Sequence, residues 1–138
     1  MTAIGHYAFA DCRKLAELTI PAGVTQLGGG VLSGCTSLRS VTLPPGVVEI
    51  GDGAFSGCGG LERVTIPAGV TKIGSSAFSL CTALRSVKLP PGLTEIGMVT
   101  FQGCGNLRSV TLPSGLKTIG PSAFHGCAAL ERVIIPEA

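Results

Sequence analysis

Residues 47–69 read VVEIGDGAFSGCGGLERVTIPAG, and residues 70–79 continue VTKIGSSAFS. In an extended chain Val64 and Ile66 point to one side and Thr65 to the other. Their β-branched side chains suit a strand. Pro67 ends it, because proline cannot donate to a ladder within a sheet. Val70-Thr71-Lys72-Ile73 reads as a second, briefer extended segment. Gly74 then reads as a turn residue with positive φ. Ser76-Ala77-Phe78-Ser79 reads as a single turn of 3₁₀ type, too short for a stable α-helix.

The same pattern recurs along the whole chain. Cysteines stand at Cys12, Cys35, Cys58, Cys81, Cys104 and Cys127, each 23 residues from the next. Phe9, Phe55, Phe78, Phe101 and Phe124 share one register, with Leu32 in the sixth place. Gly5, Gly28, Gly51, Gly74, Gly97 and Gly120 make another column, and Pro21, Pro44, Pro67, Pro90, Pro113 and Pro136 a further one. The 138 residues therefore divide into six units, 1–23, 24–46, 47–69, 70–92, 93–115 and 116–138, forming a single repeat domain. The 21 glycines and 9 prolines fall on that period, so they mark turns and not low complexity.

Residues 35–58 carry Cys35, Leu38, Val41, Leu43, Pro44, Val47, Ile50, Gly51, Ala54, Phe55 and Cys58. On this pattern, repeated in register six times, the chain resembles the BspA-like (Treponema-type) leucine-rich repeats. Val31-Leu32 and Thr100 depart from the Ala-Phe and Ala of that pattern, but still supply side chains that can be buried. The resemblance implies cell-surface or secreted proteins that bind host or matrix proteins through an exposed sheet.

One unit cannot bury its own apolar side. Stacking does so, with neighbouring strands about 4.8 Å apart. The expected fold is a β-rich leucine-rich-repeat solenoid of six coils, with a parallel sheet, short second strands and 3₁₀ turns.

Several function classes lose their support in the sequence. A net charge of +2 lacks the clustered Lys and Arg of a nucleic-acid binder. No apolar run reaches the roughly 18 residues of a membrane-spanning helix. The opening MTAIGHYAFADC is not a signal peptide. The cysteines lack the close pairs of metal sites. Their stacked spacing exceeds the roughly 3.8 Å between Cβ atoms that a disulfide prefers, so they read as free, buried thiols. The Phe column reads as a core ladder. His6 and His125 lie in different registers, and no nucleophile is placed with His6 and Asp11, so no catalytic group is expected. Gly28-Gly29-Gly30 lacks the Lys-Ser/Thr of a phosphate loop. No cofactor or metal is implied.

The outward strand positions hold the functional signal. The candidate binding face comprises Glu17, Thr19, Ser40, Thr42, Arg63, Thr65, Ser86, Lys88, Ser109, Thr111 and Arg132. A column at the strand entry runs Ala16, Arg39, Glu62, Arg85, Arg108, Glu131. Its Arg39–Glu62–Arg85 and Arg108–Glu131 neighbours read as modest surface ion pairs of ~0–1 kcal/mol each. Arg85 beside Arg108 has no such partner.

The expected function is a non-catalytic protein-interaction module, adhesion-like, with a protein ligand. The alternative is a designed or excised repeat scaffold without a ligand of its own. No polar cap appears at either end. Met1 and Ile4 open in ordinary core register, and Ile134-Ile135-Pro136-Glu137-Ala138 closes near the repeat pattern. Open strand edges invite association. The chain is thus expected to form a homo-oligomer through its solenoid ends.

Overall fold

The computed structural model describes residues 2–136, so Met1, Glu137 and Ala138 lie outside the description, with the end readings that fall on them. The chain winds through six coils as a parallel β-solenoid. No helix occurs among the described residues. The brief strands β1 (Ala3–Ile4), β3 (Gln26–Leu27), β5 (Glu49–Ile50) and β6 (Lys72–Ile73) form one parallel sheet. β8 (Glu95–Ile96) and β10 (Thr118–Ile119) pair separately. Along the other ladder, β2 (Glu17–Thr19) pairs with β4 (Ser40–Thr42). Further along, β11 (Arg132–Ile134), β9 (Ser109–Thr111) and β7 (Ser86–Lys88) form a second sheet. Every pairing joins equivalent positions of successive coils, as in Ala3 with Gln26 and Val87 with Val110.

Like therefore sits on like inside the molecule. Leu38, Leu61, Leu84 and Leu107 are fully buried, as are Val47, Ile50, Val70 and Val110. Phe55, Phe78, Phe101 and Phe124 stack with centroids 5.2, 5.5 and 5.4 Å apart and planes within 6° of parallel. All six cysteines are free. Each thiol from the second coil onward donates to the carbonyl three positions earlier in the preceding coil. Cys81 Sγ lies 3.2 Å from Phe55 O, and Cys104 Sγ 3.1 Å from Phe78 O.

The structure departs from the sequence reading at three places. Gly74 and the other glycines of its column do not adopt positive φ. At Gly28, Gly51, Gly74 and Gly120 the requirement is space. A Cβ on Gly51 would stand 2.6 Å from the Gly29 amide nitrogen, and one on Gly28 would stand 2.6 Å from the Gly5 carbonyl carbon. The left-handed residues lie two and six positions later, as at Gly53 (φ 64°) and Gly57 (φ 76°), Ser76 (φ 61°) and Leu80 (φ 61°).

Those left-handed residues change the second expectation, the 3₁₀ turn. Ala77, Ser79 and Cys81 do donate to the carbonyls three residues back. The amides between them turn outward along the solenoid: Ser76 to Met98, Phe78 to Thr100 and Leu80 to Gln102. Every second N–H points at the next coil, with left-handed residues at both ends of that row, Ser76 and Leu80, so the segment is a run of linked turns and not a helix.

Third, Val64-Thr65-Ile66 forms no regular strand. On this ladder the third coil makes an isolated parallel bridge, Arg63 to Ser86. Gly59-Gly60 precedes it, and glycine at a strand entrance weakens the strand and marks close backbone approach. A Cβ on Gly60 would stand 2.7 Å from Thr36 O.

Candidate functional site: the outward strand face

The outward ladder presents Glu17, Thr19, Ser40, Thr42, Arg63, Thr65, Ser86, Lys88 and Arg132 to solvent. Ser109 and Thr111 are half-buried. Between the outward residues, Val41, Val64, Val87 and Val110 point into the core, which holds the face in alternation. The register brings the residues together in rows: Glu17 beside Ser40, Thr19 beside Thr42, Ser86 beside Ser109, and Lys88 beside Thr111. Arg63 joins through its bridge to Ser86, while Thr65 stands outside any strand. Nine of the eleven positions thus fall on two short sheets, with Arg63 and Thr65 of the third coil between them, and not on one unbroken sheet.

The strand-entry column belongs to the same face. Arg39, Glu62, Arg85 and Arg108 are all exposed. A polar hollow is lined by Glu62, Ala83, Arg85, Asn106 and Arg108. The expected Arg39–Glu62–Arg85 and Arg108–Glu131 ion pairs do not close to 4.0 Å. The ion pair found among the described residues is Lys72 Nζ with Glu49 Oε1 at 3.3 Å, on the opposite ladder. In the middle four coils the strand face therefore carries Arg39, Arg63, Arg85, Lys88 and Arg108 against the single carboxylate Glu62. The other ladder there carries Glu49, Asp52 and Glu95 with Lys72. The molecule is electrically two-sided. Sequence reading assigned the entry arginines to ion pairs, and their column register was the signal that they share the face.

Polar groups elsewhere serve the winding. His6 Nδ1 accepts the Gly29 N–H at 2.7 Å, and Asp52 Oδ1 accepts the Ser75 N–H at 2.9 Å. These are equivalent positions, so both side chains cap the same amide of the next coil. No group of three or more His, Cys, Asp or Glu that could hold a metal occurs among the described residues. Burial pushes the thiols of Cys58 and Cys104 up to about 12, and it raises that of Cys81 well above the ordinary thiol range. A protonated thiol is a poor nucleophile and a poor metal ligand. No helix of the described residues is long and apolar enough to cross a membrane.

The comparisons agree with this geometry. The BspA type leucine rich repeat region matches in six copies over residues 2–137. No curated protein matches in sequence. A Treponema pallidum leucine-rich repeat protein of known structure is 34% identical, with a TM-score of 0.94, covering 96% of this chain and 62% of its own. A Eubacterium ventriosum leucine-rich repeat protein is 32% identical, with a TM-score of 0.84, over 91% of this chain and 34% of its own. One from Bacteroides ovatus is 31% identical, with a TM-score of 0.73, over 96% of this chain and 40% of its own. The chain thus spans less than two thirds of each of these proteins. With its repeat pattern, its stacked coils and these matches in accord, the chain belongs to the BspA-type leucine-rich repeat family.

Proposed function

We propose that the chain is a non-catalytic protein-interaction module of a cell-surface or secreted protein, binding through the outward strand face. One observation carries this reading. The face is a register-locked row of exposed polar side chains whose middle coils hold five cations and one carboxylate. Such a surface suits a protein partner with an acidic patch, since complementary potentials steer and align encounter. The face has no Trp, and arginine is its one residue type common among hot spots. Affinity should therefore be moderate and should weaken with salt.

The test is surface plasmon resonance of the 138-residue chain against purified acidic matrix proteins, beside Arg63→Glu/Lys88→Glu. Saturable binding that falls at least tenfold in the double variant, with circular dichroism unchanged, supports the reading. Equal binding by both proteins removes it, as does no binding by either.

A further inference from the structure

We propose that the break in the outward ladder at the third coil is a docking slot for an extended segment of a partner protein, one that sets an apolar side chain among acidic residues. The proposal rests on the strand-face reading above and gives that face a point of contact and the chemistry of the segment it takes.

The break leaves a backbone donor unused. At three junctions the residue that follows the strand ties its amide to the next coil: Ile20 to Thr42 O at 2.9 Å, Leu89 to Thr111 O at 3.0 Å, and Leu112 to Ile134 O at 2.8 Å. The equivalent amides of Leu43 and Ile66 have no backbone acceptor among the described residues. In the register that bridges Arg63 to Ser86, the acceptor Ile66 would meet is Lys88 O. Ile66 is 8% exposed, and an unpaired N–H at a largely buried residue is costly. A carbonyl from another extended chain satisfies such a donor, as in strand addition.

The space for that chain lies at the same place. A hollow of about 630 Å³ spans coils three and four, within the roughly 300–1,000 Å³ of ligand sites. Val64, Ile66, Val87 and Leu89, inward residues of the two coils, give it an apolar floor. Arg63 and Lys88 line it as exposed cations, and no carboxylate does. Neither cation has a carboxylate within 4.0 Å among the described residues. Glu62 lines the separate polar hollow of Arg85 and Arg108, which has no floor of this kind. The cationic lining selects acidic residues in the occupant. The floor selects an apolar side chain between them, since covering it removes apolar surface from water.

Fluorescence anisotropy of the 138-residue chain with a short labelled peptide, one leucine among glutamates, tests the proposal. Saturable binding in the micromolar to millimolar range is expected. An all-glutamate peptide should bind about tenfold more weakly, because it lacks the side chain that covers the floor. Ala68 is exposed and lines the hollow, so Ala68→Trp should fill the slot. That variant should keep its melting temperature and bind the leucine peptide about tenfold more weakly. Amide chemical shifts of the wild type should move most at Ile66 and Lys88 during the titration. Equal binding of the two peptides, unaltered binding by Ala68→Trp, or shifts centred on Arg85 and Arg108 would each overturn the slot. Absence of peptide binding overturns it too. The strand-face reading is decided separately, by whether acidic matrix proteins distinguish the wild type from Arg63→Glu/Lys88→Glu.

Discussion

At the scale of single residues, the buried thiol is a structural donor. Phe55 O accepts both the Cys58 amide and the Cys81 thiol, at 3.1 and 3.2 Å. Cys81→Ala therefore leaves that carbonyl partnered and loses mainly packing, and it should destabilise the chain by about 1–2 kcal/mol in urea unfolding. Ionisation is the harsher perturbation. Unfolded thiols lose their protons near 9.0, whereas folded Cys58 and Cys104 hold theirs to about 12. The unfolded state binds fewer protons between those values, so stability is intact below pH 9 and falls as pH rises toward 12. Melting curves from pH 8 to 11 should show this decline, and Cys58→Ala/Cys104→Ala should flatten it. Val99 is a β-branched residue held at φ 52°. A left-handed conformation costs such a residue about 1–2 kcal/mol, and glycine forfeits part of that gain in the unfolded chain. Val99→Gly should therefore raise stability by about 0.5–1 kcal/mol, read as a higher urea midpoint at constant m-value.

At the scale of the element, the glycine column and the linked turns govern how closely coils approach. Gly51→Ala would set a methyl group against backbone of the preceding coil and should cost about 3 kcal/mol. Gly46→Ala, whose added carbon meets nothing nearer than Val24 O at 4.0 Å, should stay within about 0.5 kcal/mol. Urea unfolding of the pair separates the two roles of glycine. Sequence periodicity placed both columns correctly, because a strict 23-residue repeat survives any detail of conformation. It could not show that Gly74 serves spacing while Ser76 and Leu80 adopt the left-handed backbone. Nothing in a serine or a leucine announces positive φ; the carbonyls of the next coil, Met98 O and Gln102 O, impose it by accepting their amides. The failed strand at Val64-Thr65-Ile66 was likewise not legible in those three residues, which favour extension; it follows the Gly59-Gly60 pair that weakens the strand entrance.

At the scale of the whole molecule, stability resides in junctions, and end coils have one junction where inner coils have two. Phe55, Phe78 and Phe101 are fully buried, while Phe9 and Phe124 are half-buried. Amide hydrogen exchange on dilute protein should show slow exchange for coils two to five and markedly faster exchange for coils one and six. Equal protection throughout would contradict a stability built from neighbour contacts. The candidate face was legible in outline as the residues alternating with the inward valines. Its cationic balance was not, because Arg39, Arg85 and Arg108 look paired with Glu62 and Glu131 when only the order of residues in their column is counted.

The sequence alone determined the repeat, the coil count, the inward and outward sides and the family, since each follows from which residue types recur at a period of 23. Only the tertiary structure decided where the ladder breaks, which residues take left-handed backbone, what the thiols bond, and which charges stand without partners. Those features depend on distances between atoms remote in the chain, set by how one coil settles on the next.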